Sequence, residues 1–501
     1  MPEHIRALMV VLLLGGSVFF IARSAFEQLL PATTFSRWRN VWLLMTLALF
    51  LAHSFWVYAL IVAGYCLATS KREAHLLGLY FVVLCVAPPS GVEIPGFGLI
   101  NHFLILNHYR LLSLVLLLPA AIVLFQQSSN LRLGRSPVDW MVISYIVLIS
   151  LLHFREANLT SGLRNIATNV IDIFLPYYVA SRGIRDISGF KHALAGFALG
   201  AMVLSALSIF EVLRSWKLYS AVLGALGLDQ SEFGGYLHRA GFLRPTVTVG
   251  NSIVLGYVIM VGLGFTLFLK EFIEPARSRL LGLALLWLGV LSSLSRGPWV
   301  GAGAMLLVYV ALGPGSVKQL LRLGMALLLV GFVLNQFPLG QTLLDILPFV
   351  GSVDEGNVEY RANLFTQALP VIERNLWFGS VDYLETPELL VMMQGEGIVD
   401  IVNTYIGVAL DVGLVGLVLF VGCFVFALKQ VKGAMRNAGV HGAEGVVLGR
   451  SLFAALVSIM LVIYTLSSIL VVPVIYWCTL GLCVAYATWA KSSPPTPRED
   501  A

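Results

Sequence analysis

Charge is scarce in this sequence. Of its 501 residues only 12% are Asp, Glu, Lys or Arg, against roughly 25% in soluble chains. That leaves too little polar surface to cover a water-soluble fold, and it excludes nucleic-acid readers and disordered hubs. Cysteine is scarce as well: Cys66, Cys85, Cys423, Cys478 and Cys483 all lie in or at the edge of apolar runs, without a Cys-x-x-Cys pair or a Cys/His cluster. Their placement excludes a secreted disulfide scaffold and predicts buried small side chains, with no structural disulfide and no cysteine-bound metal. The excess is apolar, at 58% of residues. An all-α polytopic membrane protein, folded as one helical bundle, is the class these proportions predict.

A helix needs about 20 apolar residues to cross a bilayer core, because every backbone amide must be satisfied within it. Apolar runs fall near 7–22, 40–63, 74–87, 110–125, 139–153, 165–181, 191–213, 251–270, 279–294, 297–313, 320–338, 404–428, 449–470 and 472–490. Twelve to fourteen transmembrane helices are therefore expected, with 74–87 and 165–181 short enough to be re-entrant or interfacial. The first run, preceded by little charge and followed by no cleavage site, reads as a retained span. The chain divides into N-terminal transmembrane helices (1–160), a central region with Arg-bearing outer loops (161–338), a cap loop (339–403), C-terminal transmembrane helices (404–490) and a disordered tail (491–501).

With the N-terminus cytoplasmic, the inner loops hold sixteen Lys and Arg in 76 positions and the outer segments thirteen in 155. That asymmetry sets the orientation. Twelve of the thirteen outer positives are Arg, Lys217 being the exception, whereas six of the sixteen inner ones are Lys. Arginine offers a planar fork that holds phosphate bidentately and stays charged in a poorly hydrated site. Arg23, Arg37 and Arg39 read as side chains reaching the headgroups. Segment 339–403 carries ten acids against Arg361 and Arg374, too long for a simple connection. Within it RANLFTQALPVIERNLWFG has helical apolar spacing, which predicts an ordered extracytoplasmic cap.

Three arginines sit where chemistry is expected. Arg244 precedes Pro245 at the mouth of a span, where a delayed helix start offers free amides to an anion. Arg296 lies in SLSRGPWVGAG, a short break between two spans, and a charge so close to hydrocarbon is a functional-site hypothesis by default. Arg361 opens the cap helix.

In these residues the sequence resembles the O-antigen ligase and O-antigen polymerase superfamily of bacterial envelope glycosyltransferases. The likeness rests on RPTVTVGNSIVLGY at 244–257, SRGPWVG at 295–301, RANLFTQALPVIERNLWFGS at 361–380 and VNTYIGVALDVGLVGLVLF at 402–420, while DIFLPYYVASR at 172–182 is similar to the exopolysaccharide branch. It covers roughly 170–430. The resemblance implies a C-type glycosyltransferase fold, a donor glycan on undecaprenyl pyrophosphate, and inverting transfer at the periplasmic face of the inner membrane, without nucleotide sugar, metal or cofactor. It also maps pyrophosphate-holding arginines onto Arg244, Arg296 and Arg361.

Family ligases carry a histidine before the Asn that follows the cap; here that position is Val402, before Asn403. The departure favours a polymerase over a ligase and leaves the base open among Asp400, Glu396 and His238. Asn403, Tyr360 and Trp377 are the expected glycan contacts, His102 and His108 the expected packing or surface histidines, and Asp411 an acid facing the bundle interior. The expected partners are the lipid-linked donor, a glycan acceptor, the bilayer and a chain-length-regulating co-polymerase, and no nucleic acid. Transfer of finished glycan to lipid A-core is the nearest alternative. A flippase for the same lipid-linked sugars is the rival from another class, although its usual duplicated halves are not evident in the sequence.

Overall fold

The computed structural model describes residues 1–96, 102–127, 133–155, 159–228, 235–337, 341, 355–394 and 397–492. Among them nine helices are long and apolar enough to cross a membrane, and the protein is an all-α multi-pass membrane protein. Nine is fewer than the apolar runs because several runs fold into shorter pieces. The run at 40–63 breaks at His53, whose backbone is left-handed, and gives helices Ala32–Leu51 and Phe55–Ser70. The run at 74–87 forms only Leu76–Leu84, nine residues with Leu77 to Leu84 all buried, about 14 Å at the usual rise and so too short to span.

Ile187–Arg214 is the organising helix. It packs on Leu76–Leu84, Ser252–Leu269 and Ala276–Ser292, and its buried positions include Ala193, Gly196, Ala201, Ser205 and Ser208, small enough for backbones to approach closely. Thr404–Met435 packs on Pro137–Leu152, Ala443–Ile463 and Val472–Trp489. All five cysteines are free thiols, four of them buried. His108 is fully buried between the Tyr58 hydroxyl (2.8 Å) and the Val83 carbonyl (2.9 Å), in line with a packing role.

The cap is a helix, Glu355–Arg374, docked by one apolar stripe. Leu364, Ala368 and Val371 recur at helical spacing and meet Leu389, Met392, Ile406 and Leu410, the last two from the start of Thr404–Met435. That helix is interrupted at Gly413, whose φ of 69° and ψ of −169° only glycine tolerates. The backbone groups released there are taken by the chain just after the cap helix. Ser380 N–H donates to Leu410 (2.9 Å), Leu414 N–H to Leu376 (2.7 Å), and Arg155 donates to the carbonyls of Phe378, Gly379 and Asp411. This clasp fixes the cap over the bundle and turns Asp411 toward the space beneath it.

Candidate active site

A cavity of about 700 Å³ lies under the cap, and Lys217, Arg244, Asp400, Asn403 and Asp411 are in its wall. The segment carrying Arg244 is held from below by Glu211. This fully buried carboxylate accepts the N–H groups of Leu218 (2.8 Å), Thr246 (3.0 Å) and Val247 (3.1 Å), and so fixes the loop that delays the start of Ser252–Leu269. Asn251 then caps that helix by accepting from Ile253 N–H at 2.8 Å.

Arg244 also ends a tight hairpin. His238–Arg239 pairs antiparallel with Phe242–Leu243, and the turn residues Ala240 and Gly241 both have positive φ, as a two-residue hairpin of this hand requires. Arg244 N–H extends the ladder to the Leu237 carbonyl at 2.8 Å. From the same hairpin the buried Arg239 donates to the carbonyl of Leu294, in the break just before Arg296–Ala311. The hairpin thus bolts the Arg244 mouth to the Arg296 mouth.

Arg361 completes the constellation. Its Nη2 donates to the Thr465 carbonyl at 3.2 Å. Burial, then the charge of Arg239, pulls its guanidinium below the usual range, with Arg296 acting the same way and Asp400 opposing. Three guanidiniums therefore share one neighbourhood, with the Asp400 carboxylate beside them. Lys217 forms a second cationic point at the cavity wall; burial lowers its ammonium from the ordinary range, Glu211 raising it and Arg244 lowering it.

Asp400 opens to solvent at the cavity mouth, yet enough protein surrounds it that burial raises its carboxyl, against the lowering effects of Ser467 and Arg361. Arg244, Arg296, Arg361 and Asp400 are thus gathered at one end of the bundle. The other expected residues fare differently. Glu396 lies outside the described residues. His238 is on the exposed edge of the hairpin and is not in the cavity wall. Asn403 is in the wall, but its Oδ1 caps Thr404–Met435 by accepting from Tyr405 and Ile406 N–H, which leaves only its amide nitrogen for a ligand. Tyr360 donates to the carbonyls of Met392 and Asp400 and packs on the cap core, so it positions the Asp400 strap rather than offering an open ring. Trp377 is 60% exposed and away from the cavity wall, its carbonyl engaged in the Gly413 clasp.

Residue-by-residue reading of the sequence passed over Glu211, Arg239 and Lys217 as site residues. Lys217 had a signal, as the lone lysine among the positive charges that the loop count assigns to the outer face. Glu211 had none, because its partners are backbone groups up to 36 residues away.

No curated protein matches this chain. Residues 281–421 match the family model described as O-antigen ligase, a stretch that contains Arg296, Arg361, Asp400 and the Gly413 clasp. Over this stretch, less than a third of the chain, the match supports the likeness to the O-antigen ligase and polymerase superfamily.

Proposed function

We propose that the protein is a polymerase that joins lipid-linked oligosaccharide repeat units at the periplasmic face of the bacterial inner membrane. The observation that carries this reading is the convergence of Arg239, Arg296 and Arg361 beside the cavity that Arg244 and Lys217 line. Like charges held together repel, and a diphosphate relieves that repulsion while accepting several guanidinium hydrogen bonds at once.

The donor's undecaprenyl diphosphate occupies the cationic side, and the acceptor sugar's hydroxyl approaches from the Asp400 side. The hydroxyl oxygen forms a bond to the anomeric carbon as the bond from that carbon to the diphosphate oxygen breaks. The bonding pair leaves on the diphosphate, where the fixed guanidiniums stabilise it. The hydroxyl proton passes to Asp400, whose raised pKa suits a general base. Attack opposite the leaving group inverts the anomeric centre. Val402, where ligases of this superfamily carry histidine, supports a polymerase over a ligase.

Reconstitution of the purified protein with lipid-linked repeat units tests the proposal. A ladder of products without added nucleotide sugar is the expected outcome. A flippase would move the units across the vesicle and leave their length unchanged.

A further inference from the structure

A second cavity, of about 510 Å³, lies beside the first, and Ser468 and Leu470 belong to the walls of both. Its charged lining is the pair Arg110 and Asp172. Arg110 grips the carboxylate with Nε (3.1 Å) and Nη2 (2.9 Å) and anchors Nη1 on the Ile105 carbonyl (2.8 Å). Neither side chain is sealed: they remain 19% and 23% exposed.

The backbone around this pair is unusual. A π-helical turn, Ser113–Leu117, follows the short helix that carries Arg110, and a second, Val170–Phe174, contains Asp172. The two turns pack on each other. Such turns make up well under 1% of residues and concentrate at functional sites, because the extra residue re-aims the side chains around it. Two of them meeting at one ion pair exceed what holding a helix contact requires. A charge pair near hydrocarbon that is left open to a cavity is a costly arrangement unless something uses it.

We propose that this second cavity is the acceptor site, which binds the terminal sugar of the growing or incoming glycan. Arg110 donates to its hydroxyls and Asp172 accepts from them, a rigid donor–acceptor pair of the kind vicinal hydroxyls match. The shared wall leads toward Asp400, since Ser467, next to Ser468, is the residue that holds the Asp400 carboxylate. This assignment rests on the transferase reading and adds where the second substrate sits.

The test uses the full chain in lipid vesicles with two probes. One is undecaprenyl diphosphate alone, which reports on the first cavity. The other is an oligosaccharide of two repeat units, released by mild acid from the host's lipid-linked pool and offered as acceptor. Asp172→Asn and Arg110→Lys are expected to bind undecaprenyl diphosphate as the unaltered chain does. They should raise KM for the acceptor at least tenfold with little change in kcat, and shorten the polymer. Ser90→Trp, which narrows the cavity while leaving Arg110 and Asp172 themselves unaltered, should do the same and serves if the pair variants unfold. An unchanged acceptor KM, or a loss of undecaprenyl diphosphate binding in these variants, overturns the assignment. Failure of the unaltered chain to bind undecaprenyl diphosphate overturns the transferase reading instead.

Discussion

The hydroxyl of Ser467 donates a 2.9 Å hydrogen bond to Oδ1 of Asp400, tying the loop between the last two helices to the strap beneath the cap. Burial raises the Asp400 carboxyl above its ordinary 3.8 and this bond pulls it back. A base works in its ionised form, so transfer should climb with pH through the Asp400 pKa, on a limb above the ordinary carboxylate range. Ser467→Ala removes a lowering contact and should move that limb to higher pH with little change in the plateau. Asp400→Asn should lower the plateau by about 10²–10⁴-fold and abolish the limb. Initial rates in proteoliposomes across pH measure both.

Arg244→Ala should reduce chain extension by about 10²–10³-fold, the usual cost of removing one preorganised charge-stabilising donor. Arg296→Ala should behave alike. Lysine at either site should rescue only partly, since an ammonium lacks the planar fork. Polymer per unit of membrane-inserted protein is the quantity to compare.

Glu211→Gln replaces a carboxylate that accepts three backbone N–H groups with an amide that turns two of its own hydrogens toward donors. A stability loss of about 1–3 kcal/mol is expected, together with weaker donor binding as the Arg244 loop loosens. Thermal unfolding in detergent and donor affinity, measured on the same preparation, should fall together.

Gly413→Ala should release the cap. A Cβ there meets the backbone of Trp377 and Phe378, and the φ/ψ pair adds about 1–3 kcal/mol of strain. Gly433→Ala lies in the same helix with open space around it and should be neutral or stabilising by up to about 1 kcal/mol. Limited proteolysis after the cap helix should separate the two variants.

The parts of this protein that follow from periodicity and from charges at span ends were legible in the sequence. Leu364, Ala368 and Val371 announce the docked face of the cap helix, and Arg244 and Arg296 at the ends of apolar runs announce the cationic end. The loop charge count misplaces segment 23–39, whose Gln28 bonds Glu274 and whose Arg37 pairs with Glu73, residues of two loops that it puts on the opposite face. The break at His53 turns Phe55–Ser70 back toward the start of Ala32–Leu51. The parts set by backbone conformation were not. Hydropathy does not register the left-handed residue His53, so one apolar run conceals two helices. A π-turn keeps the apolar pattern intact, so nothing marks Ser113–Leu117 or Val170–Phe174. Tyr360 and Trp377 read as sugar platforms because aromatic identity says nothing of direction; one hydroxyl serves the Asp400 strap and the other ring stands away from the cavity. Arg239 was hidden because its partner is a carbonyl 55 residues further along the chain.

The most direct measurement is the affinity of undecaprenyl diphosphate for the reconstituted protein and for Arg244→Ala and Arg361→Ala. The account predicts that each substitution weakens binding at least tenfold while the protein stays folded and membrane-inserted. Equal affinity in all three proteins would contradict it, because the guanidinium cluster would then not be what holds the leaving diphosphate.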